Sequence, residues 1–318
     1  MHIINRALIA AVAFTGTIAS AEPAEIMLEP SSKWVLDYGE ARCRLVRMFG
    51  EGEARNILYL EQYAPGSSFS WTVAGPVVEQ FRRSRDITVQ FAPGFEPVTA
   101  DQNDGLTLDG FGEAVSGRIY RPVPEYSEAL RTALDDDNKV EAKRLAAAEG
   151  MELPTDFTSD GLLRLDLEDG AKIEELVLSQ EKGEHTVLRL GDMSPAFKAM
   201  NTCMENLVAH WGLDPQVEAS VVERPRWINM RKVVRSILDR YPRPALNKGE
   251  QADFQLRVMV DAAGGISGCD LTELTSANNF SDEVCPLVRS KAEFAPARTA
   301  SGEAVPSYYI SRVLYRIR

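Results

Sequence analysis

Between Phe254 and Asp261 the chain carries a pattern that few folds can absorb. Phe254, Leu256, Val258 and Val260 occupy alternate positions, with Gln255, Arg257, Met259 and Asp261 between them. A period of two belongs to a β-strand with one buried face. Ala262-Ala263-Gly264-Gly265 follows and supplies a turn, since glycine reaches positive φ without steric cost. A second strand is expected from Ile266 to Leu274, closed by the polar run at 276–279. A short helix then carries Val284, Leu287, Val288 and Lys291 toward Phe294. Proline suits the first helical position, so Pro286 is expected there with Cys285 as the cap. A last strand runs from Ser307 to Ile317, with Tyr309, Ser311, Val313 and Tyr315 on one face and Tyr308, Ile310, Arg312 and Leu314 on the other. The order is β-β-α-β.

The whole chain has 318 residues, room for two ordinary domains. Its start has the form of an export signal. Arg6 supplies positive charge, an apolar run spans Ala7 to Ile18, and Ala19-Ser20-Ala21 gives a small-x-small cleavage pattern. The expected division is therefore a signal at 1–21, a β-rich N-terminal domain with helices at 22–223, and the β-β-α-β unit at 224–318. The fold class is α+β. The expected mature protein begins at Glu22 and is periplasmic.

Four cysteines in such a chain point to disulfides, with three pairings open. Cys269 on the second strand and Cys285 at the helix start share one small unit. That favours Cys269–Cys285 and leaves Cys43 with Cys203.

Charge is uneven. Residues 22–223 hold 19 Lys and Arg against 37 Asp and Glu, whereas residues from Arg224 onward hold 15 against 10. An acidic body argues against nucleic acid as a partner.

From Trp34 the chain reads as strands at 34–38, 43–49, 57–62, 69–73 and 87–91, with two more flanking Gly110 and Gly117. Arg42, Arg44 and Arg47 punctuate the second of these and read as a solvated face. Helices are expected at 125–134 and 139–149, joined by the acidic run Asp135-Asp136-Asp137-Asn138. Neither that run nor Asp101–Gly105 has the spacing of a calcium loop. Further strands are expected at 161–169, 172–179 and 185–190. Ser194 as cap and Pro195 as first residue open a helix whose face is Phe197, Met200, Cys203, Met204, Leu207 and Val208. Gln216 to Arg226 reads as a polar connection, followed by a basic amphipathic helix from Trp227 to Arg240.

Chemistry-bearing motifs are missing from this sequence. The mature chain has only His185 and His210, no H-E-x-x-H, no S-x-x-K pair and no Gly-rich phosphate loop. The expectation is a non-enzymatic protein without catalytic residues, metal or cofactor.

The C-terminal series resembles the C-terminal domain of the TonB family. The matching signs are Tyr241-Pro242 at the entrance, the V-x-V-D strand end before a Gly turn, Phe280 ahead of the helix, Phe294-Ala295-Pro296-Ala297 behind it, Gly302, and the aromatic-basic last strand. The resemblance covers about a quarter of the chain. It implies a domain that adds a partner's peptide as a strand, with Tyr241, Pro242, Tyr308, Tyr309, Ser311, Arg312, Val313 and Tyr315 as partner-binding residues. The implied partner is an envelope protein, such as the short peptide of an outer-membrane receptor, or a second copy through the last strand. Proline at Ser311 or Val313 is then expected to abolish association. The chain departs from the family's energy transducers in lacking a Pro-rich spacer and in carrying a signal where they keep a membrane helix. A rival expectation makes the N-terminal β domain a glycan- or ligand-binding envelope module.

Overall fold

A computed structural model of the chain describes residues 25–81, 86–100, 106–119, 127–135, 139–151, 153, 161–180, 185–274, 278–280 and 283–317. The expected signal at 1–21, the loop at 101–105 and residues 136–138 of the acidic run lie outside the described residues.

The N-terminal unit has two sheets. The first contains β2 (Val35–Tyr38), β3 (Cys43–Phe49), β4 (Asn56–Gln62), β5 (Ser70–Ala74), β8 (Thr107–Leu108) and β9 (Gly112–Arg118), in the order β2-β3-β4-β5-β9-β8. Every neighbouring pair in it is antiparallel. The second contains β1 (Glu25–Leu28), β6 (Thr88–Pro93), β7 (Val98–Thr99), β10 (Ile173–Ser179) and β11 (His185–Arg189), in the order β1-β11-β10-β6-β7. Its β1 runs parallel to β11.

Alternation along each strand decides what is buried. Cys43, Leu45 and Phe49 of β3, Leu58 and Leu60 of β4, and Trp71 and Val73 of β5 enter one core with Val89, Phe91, Leu176 and Leu178 of the second sheet. The long helix α5 (Ser194–His210) closes that core with Phe197, Met200, Cys203, Met204 and Leu207 of the face read from the sequence, while Val208, the sixth residue of that face, packs toward the C-terminal unit. Phe69 meets Phe91 and Phe197 edge-on, with ring centres 5.3 and 5.4 Å apart. Each such fully buried side chain is worth about 1.5–3 kcal/mol of transfer free energy. The Cys43–Cys203 disulfide bolts α5 to β3, and the second bridge is Cys269–Cys285. Two closed disulfides fit an oxidising compartment outside the cytoplasm. No helix among the described residues is long and apolar enough to cross a bilayer.

Several expectations need correction. Residues 161–169 hold no strand. A short helix α4 (Leu167–Ala171) starts there instead, because the Asp166 carboxylate caps it by accepting from the amides of Glu168 and Asp169. Gly117 sits inside β9 rather than between strands. The Trp71 ring crosses it so closely that a Cβ would lie 2.6 Å from Trp71 Cζ2. Arg47 is not on the solvated face. It falls in the Cys43, Leu45, Phe49 row, lies over the Trp34 ring and donates to the carbonyls of Ser32 and Leu190. Burial lowers its pKa. Ser194 is the first residue of α5, not its cap; Met193 holds the cap position.

After the one-turn helix α1 (Pro76–Glu79), the helical stretch at 125–149 forms α2 (Glu128–Asp135) and α3 (Lys139–Glu149), a hairpin with its own small core of Leu130, Ala133, Ala142 and Ala146.

The three long strands of the C-terminal unit and the helix between them follow the order β-β-α-β, with short strands added between that helix and the last strand. β14 (Ala252–Val260) is central in a three-stranded antiparallel sheet, between β15 (Ile266–Glu273) and β19 (Ser307–Tyr315). Phe254, Leu256, Val258 and Val260 pack against Val233 and Ile237 of α7 (Met230–Leu238) and Val284, Leu287 and Val288 of α9 (Val284–Lys291). Helix α9 begins two residues before the expected start, with Glu283 at the cap position and no side-chain capping bond. Pro286 is tolerated because amides of the first helical turn have no intrahelical partner to lose. A short helix α8 (Arg243–Lys248) follows Pro242 and was not anticipated.

The stretch at 216–226 is not a loose connection. It forms the end of α6 (Pro215–Ala219), then β12 (Val221–Glu223) and β13 (Arg226–Trp227). β12 pairs with β17 (Ala297–Thr299), which also pairs with β18 (Ala304–Val305), and β13 pairs with β16 (Phe294–Ala295).

The second face of the C-terminal sheet rests on the N-terminal unit. Tyr308, Met259 and Ile310 share a cluster with Val208 of α5 and with Trp211 and Leu213 just beyond its end. Glu218, fully buried on α6, takes an ion pair from Arg224 at 3.4 Å, and Arg224 also donates to the carbonyl of Gly161.

Candidate functional site

Strand β19 lies at an edge. Its nine residues pair with β14, from Ala252 opposite Tyr315 to Val260 opposite Ser307, and no described strand pairs its other side.

The hydrogen bonding fixes which main-chain groups point outward. Leu274 N donates to Asp253 O, so Asp253 turns its peptide groups toward β15. Successive residues alternate sides, so Phe254, Leu256 and Val258 turn theirs toward β19. Their partners Val313, Ser311 and Tyr309 are thereby engaged within the sheet. The amides and carbonyls turned outward belong to Tyr308, Ile310, Arg312 and Leu314, and the Arg312 carbonyl already accepts from the Ser311 hydroxyl at 3.5 Å. The expected proline test at Ser311 or Val313 is therefore misplaced, since it would break the sheet itself.

The outward edge faces a cleft rather than open solvent. One part, of about 370 Å³, is lined by Tyr308 to Arg312 on one wall and by Tyr63, Pro65 and Ser68 of the β4–β5 connection on the other. The next part, of about 400 Å³, continues past Arg312, Leu314 and Arg316, opposite Ser70, Thr72 and Ser116 of the N-terminal sheet. Glu61, Tyr63, Arg118 and Arg312 line both parts.

The charges in this cleft do not cancel. Glu61 is held by Arg42 at 3.5 Å and Arg44 at 2.7 Å. Asp253, buried on β14, is bridged by Arg312, whose Nε donates to Oδ1 at 3.1 Å. Arg118 forms no ion pair among the described residues, and its buried Nε has no acceptor. Arg316 is exposed at the far end. Both carboxylates are thus neutralised while Arg118 and Arg316 keep net positive charge. Neither His185 nor His210 lines the cleft. Among the described residues no three His, Cys, Asp or Glu side chains cluster as metal ligands.

The residues singled out from the sequence separate into two groups. Tyr241 and Tyr315 pack with Phe254 and Phe280, and Tyr241 also donates to the carbonyl of Glu250. Pro242 holds the cap position of α8. Tyr309 packs against the stacked rings of Trp227 and Phe294 and also lines the cleft, and Val313 lies against the same core. Tyr308 and Arg312 reach the cleft, as does half-buried Ser311. Arg118, Tyr63 and Glu61 were not anticipated. No period in the sequence ties the strand at 56–62 to the one at 307–315.

No protein-family model matches this chain, and no curated protein matches it significantly.

Proposed function

We propose that this chain is a non-enzymatic binding protein of the bacterial envelope, periplasmic after export, that captures an extended segment of a protein partner by strand addition to β19. The observation that carries this reading is an edge strand whose outward amides and carbonyls open onto a cleft. Unpaired edge groups offer an extended peptide main-chain bonds that need no particular side chain. The β-β-α-β order and the aromatic cluster of Tyr241, Phe280 and Tyr315 support a TonB-like C-terminal domain. Energy transduction is no part of the proposal, because the unit packs directly on the N-terminal unit instead of hanging on a Pro-rich spacer.

The test is a pull-down from envelope extract with the mature chain and its Leu314→Pro variant. Leu314 is 44 % exposed, so its loss removes little packing, while proline deletes an outward donor. The variant should keep its circular dichroism and lose the captured partners. Capture of the same partners by a folded Leu314→Pro protein would overturn strand addition.

A further inference from the structure

A strand added to β19 does not meet only the C-terminal unit. The outward edge runs for about 30 Å at the usual rise per residue. Along that length it is faced by residues of the N-terminal sheet, including Tyr63, Thr72, Ser116 and Arg118. Side chains of an added strand alternate, so every second one would point at this wall. The wall carries a guanidinium with an unused donor at Arg118. Arg316 adds a second free positive charge near the strand end. The acids lining the cleft, Glu61 and Asp253, are already paired.

We infer that the N-terminal unit forms the second half of the binding site and that the occupant is an acidic extended segment, carrying Asp or Glu at alternate positions, read by Arg118. This rests on the strand-addition reading. Charge complementarity selects the acidic class, because a partly desolvated guanidinium repels a basic side chain and gains little from a neutral one. Space disfavours a second copy. Concavities of about 370 and 400 Å³ are of the size that holds a small ligand or a single strand, not another folded sheet.

A displayed library of random nine-residue peptides, panned against the mature full chain, tests this. Enriched peptides should show Asp or Glu at alternate positions. Their affinity should fall about tenfold or more in Arg118→Glu and much less in Arg118→Lys, with Leu314→Pro abolishing it. Panning Arg118→Glu itself should enrich Lys and Arg instead. Enriched peptides with no acidic bias, lost in Leu314→Pro but indifferent to Arg118→Glu, would overturn this inference and leave strand addition standing. Absence of any enriched peptide would overturn both. A dimer by light scattering that Leu314→Pro dissolves would assign the edge to a second copy and overturn the inference.

Discussion

The Arg257 guanidinium lies over the Trp211 ring, 4.3 Å from its centre, and this contact joins the two units. Arg257 belongs to the central strand of the C-terminal sheet, and Trp211 ends the long N-terminal helix that Cys203 bolts to β3. Tyr308 meets the same indole edge-on at 5.2 Å. The edge strand is thereby held at a fixed place opposite the N-terminal sheet, which is what gives the cleft two walls.

A cation over an aromatic face in a partly buried seam contributes about 1 kcal/mol. A double-mutant cycle with Trp211→Ala and Arg257→Ala should return a coupling of that size in urea unfolding. Because Arg257 also pairs with Asp270 at 2.6 Å, the single Arg257 change will cost more than the coupling alone. Strict additivity would show that the contact contributes nothing to holding the units together.

The two disulfides close loops of very different length, 160 and 16 residues of sequence separation. In the chain-entropy account the longer constrains the unfolded state by about 5 kcal/mol and the shorter by about 3. The Cys43→Ser/Cys203→Ser protein should therefore lose more stability than the Cys269→Ser/Cys285→Ser protein. The reverse order in denaturant midpoints would mean that local packing around Cys269 outweighs loop length.

Much of this arrangement was legible. The Phe254–Val260 alternation, the face of α5 and both cysteine pairs could be taken from spacing, since burial leaves a period in the sequence. Spacing does not say what a face is buried against. The row of Tyr308 and Ile310 could be placed opposite Tyr309 and Val313, but nothing in it names Trp211 as its neighbour. Arg47 misled for a related reason: a charged residue in an apolar row looks solvated until backbone carbonyls and an indole close around it. The direction of the main-chain groups along β19 was equally hidden, because it depends on the register with β14.

Two turn glycines in the C-terminal unit have nearly the same φ but different surroundings. Gly264 has φ +85°, and a Cβ there would lie 2.5 Å from the carbonyl oxygen of Phe294; Gly302 has φ +83° and open space. Alanine at Gly302 should cost only the left-handed strain, about 1–2 kcal/mol. Alanine at Gly264 adds a backbone clash and should cost about 3 kcal/mol or more. Chemical denaturation compares the two directly. Equal losses would mean that the hairpin turn shifts freely away from Phe294.

Alkaline pH should act on the seam through Tyr308. Burial, at 4 % exposure, pushes its phenol up to about 12; Arg224 over the ring pulls it back slightly and Glu218 adds to the rise. In the unfolded chain a tyrosine titrates near 10. The folded state therefore favours the neutral phenol, and this contribution is intact below about pH 10 and lost as pH rises toward 12. The gap between the folded and unfolded phenol corresponds to about 2–3 kcal/mol. Tyr308→Phe keeps the ring on Trp211 and has no proton to lose, so its stability should fall by that much less than the parent's between pH 10 and 12. Denaturation curves of both proteins across this range, differenced at each pH, isolate the effect from other alkaline titrations. Parallel curves would show that the Tyr308 hydroxyl reaches water and that the seam around the start of β19 is looser than its packing indicates.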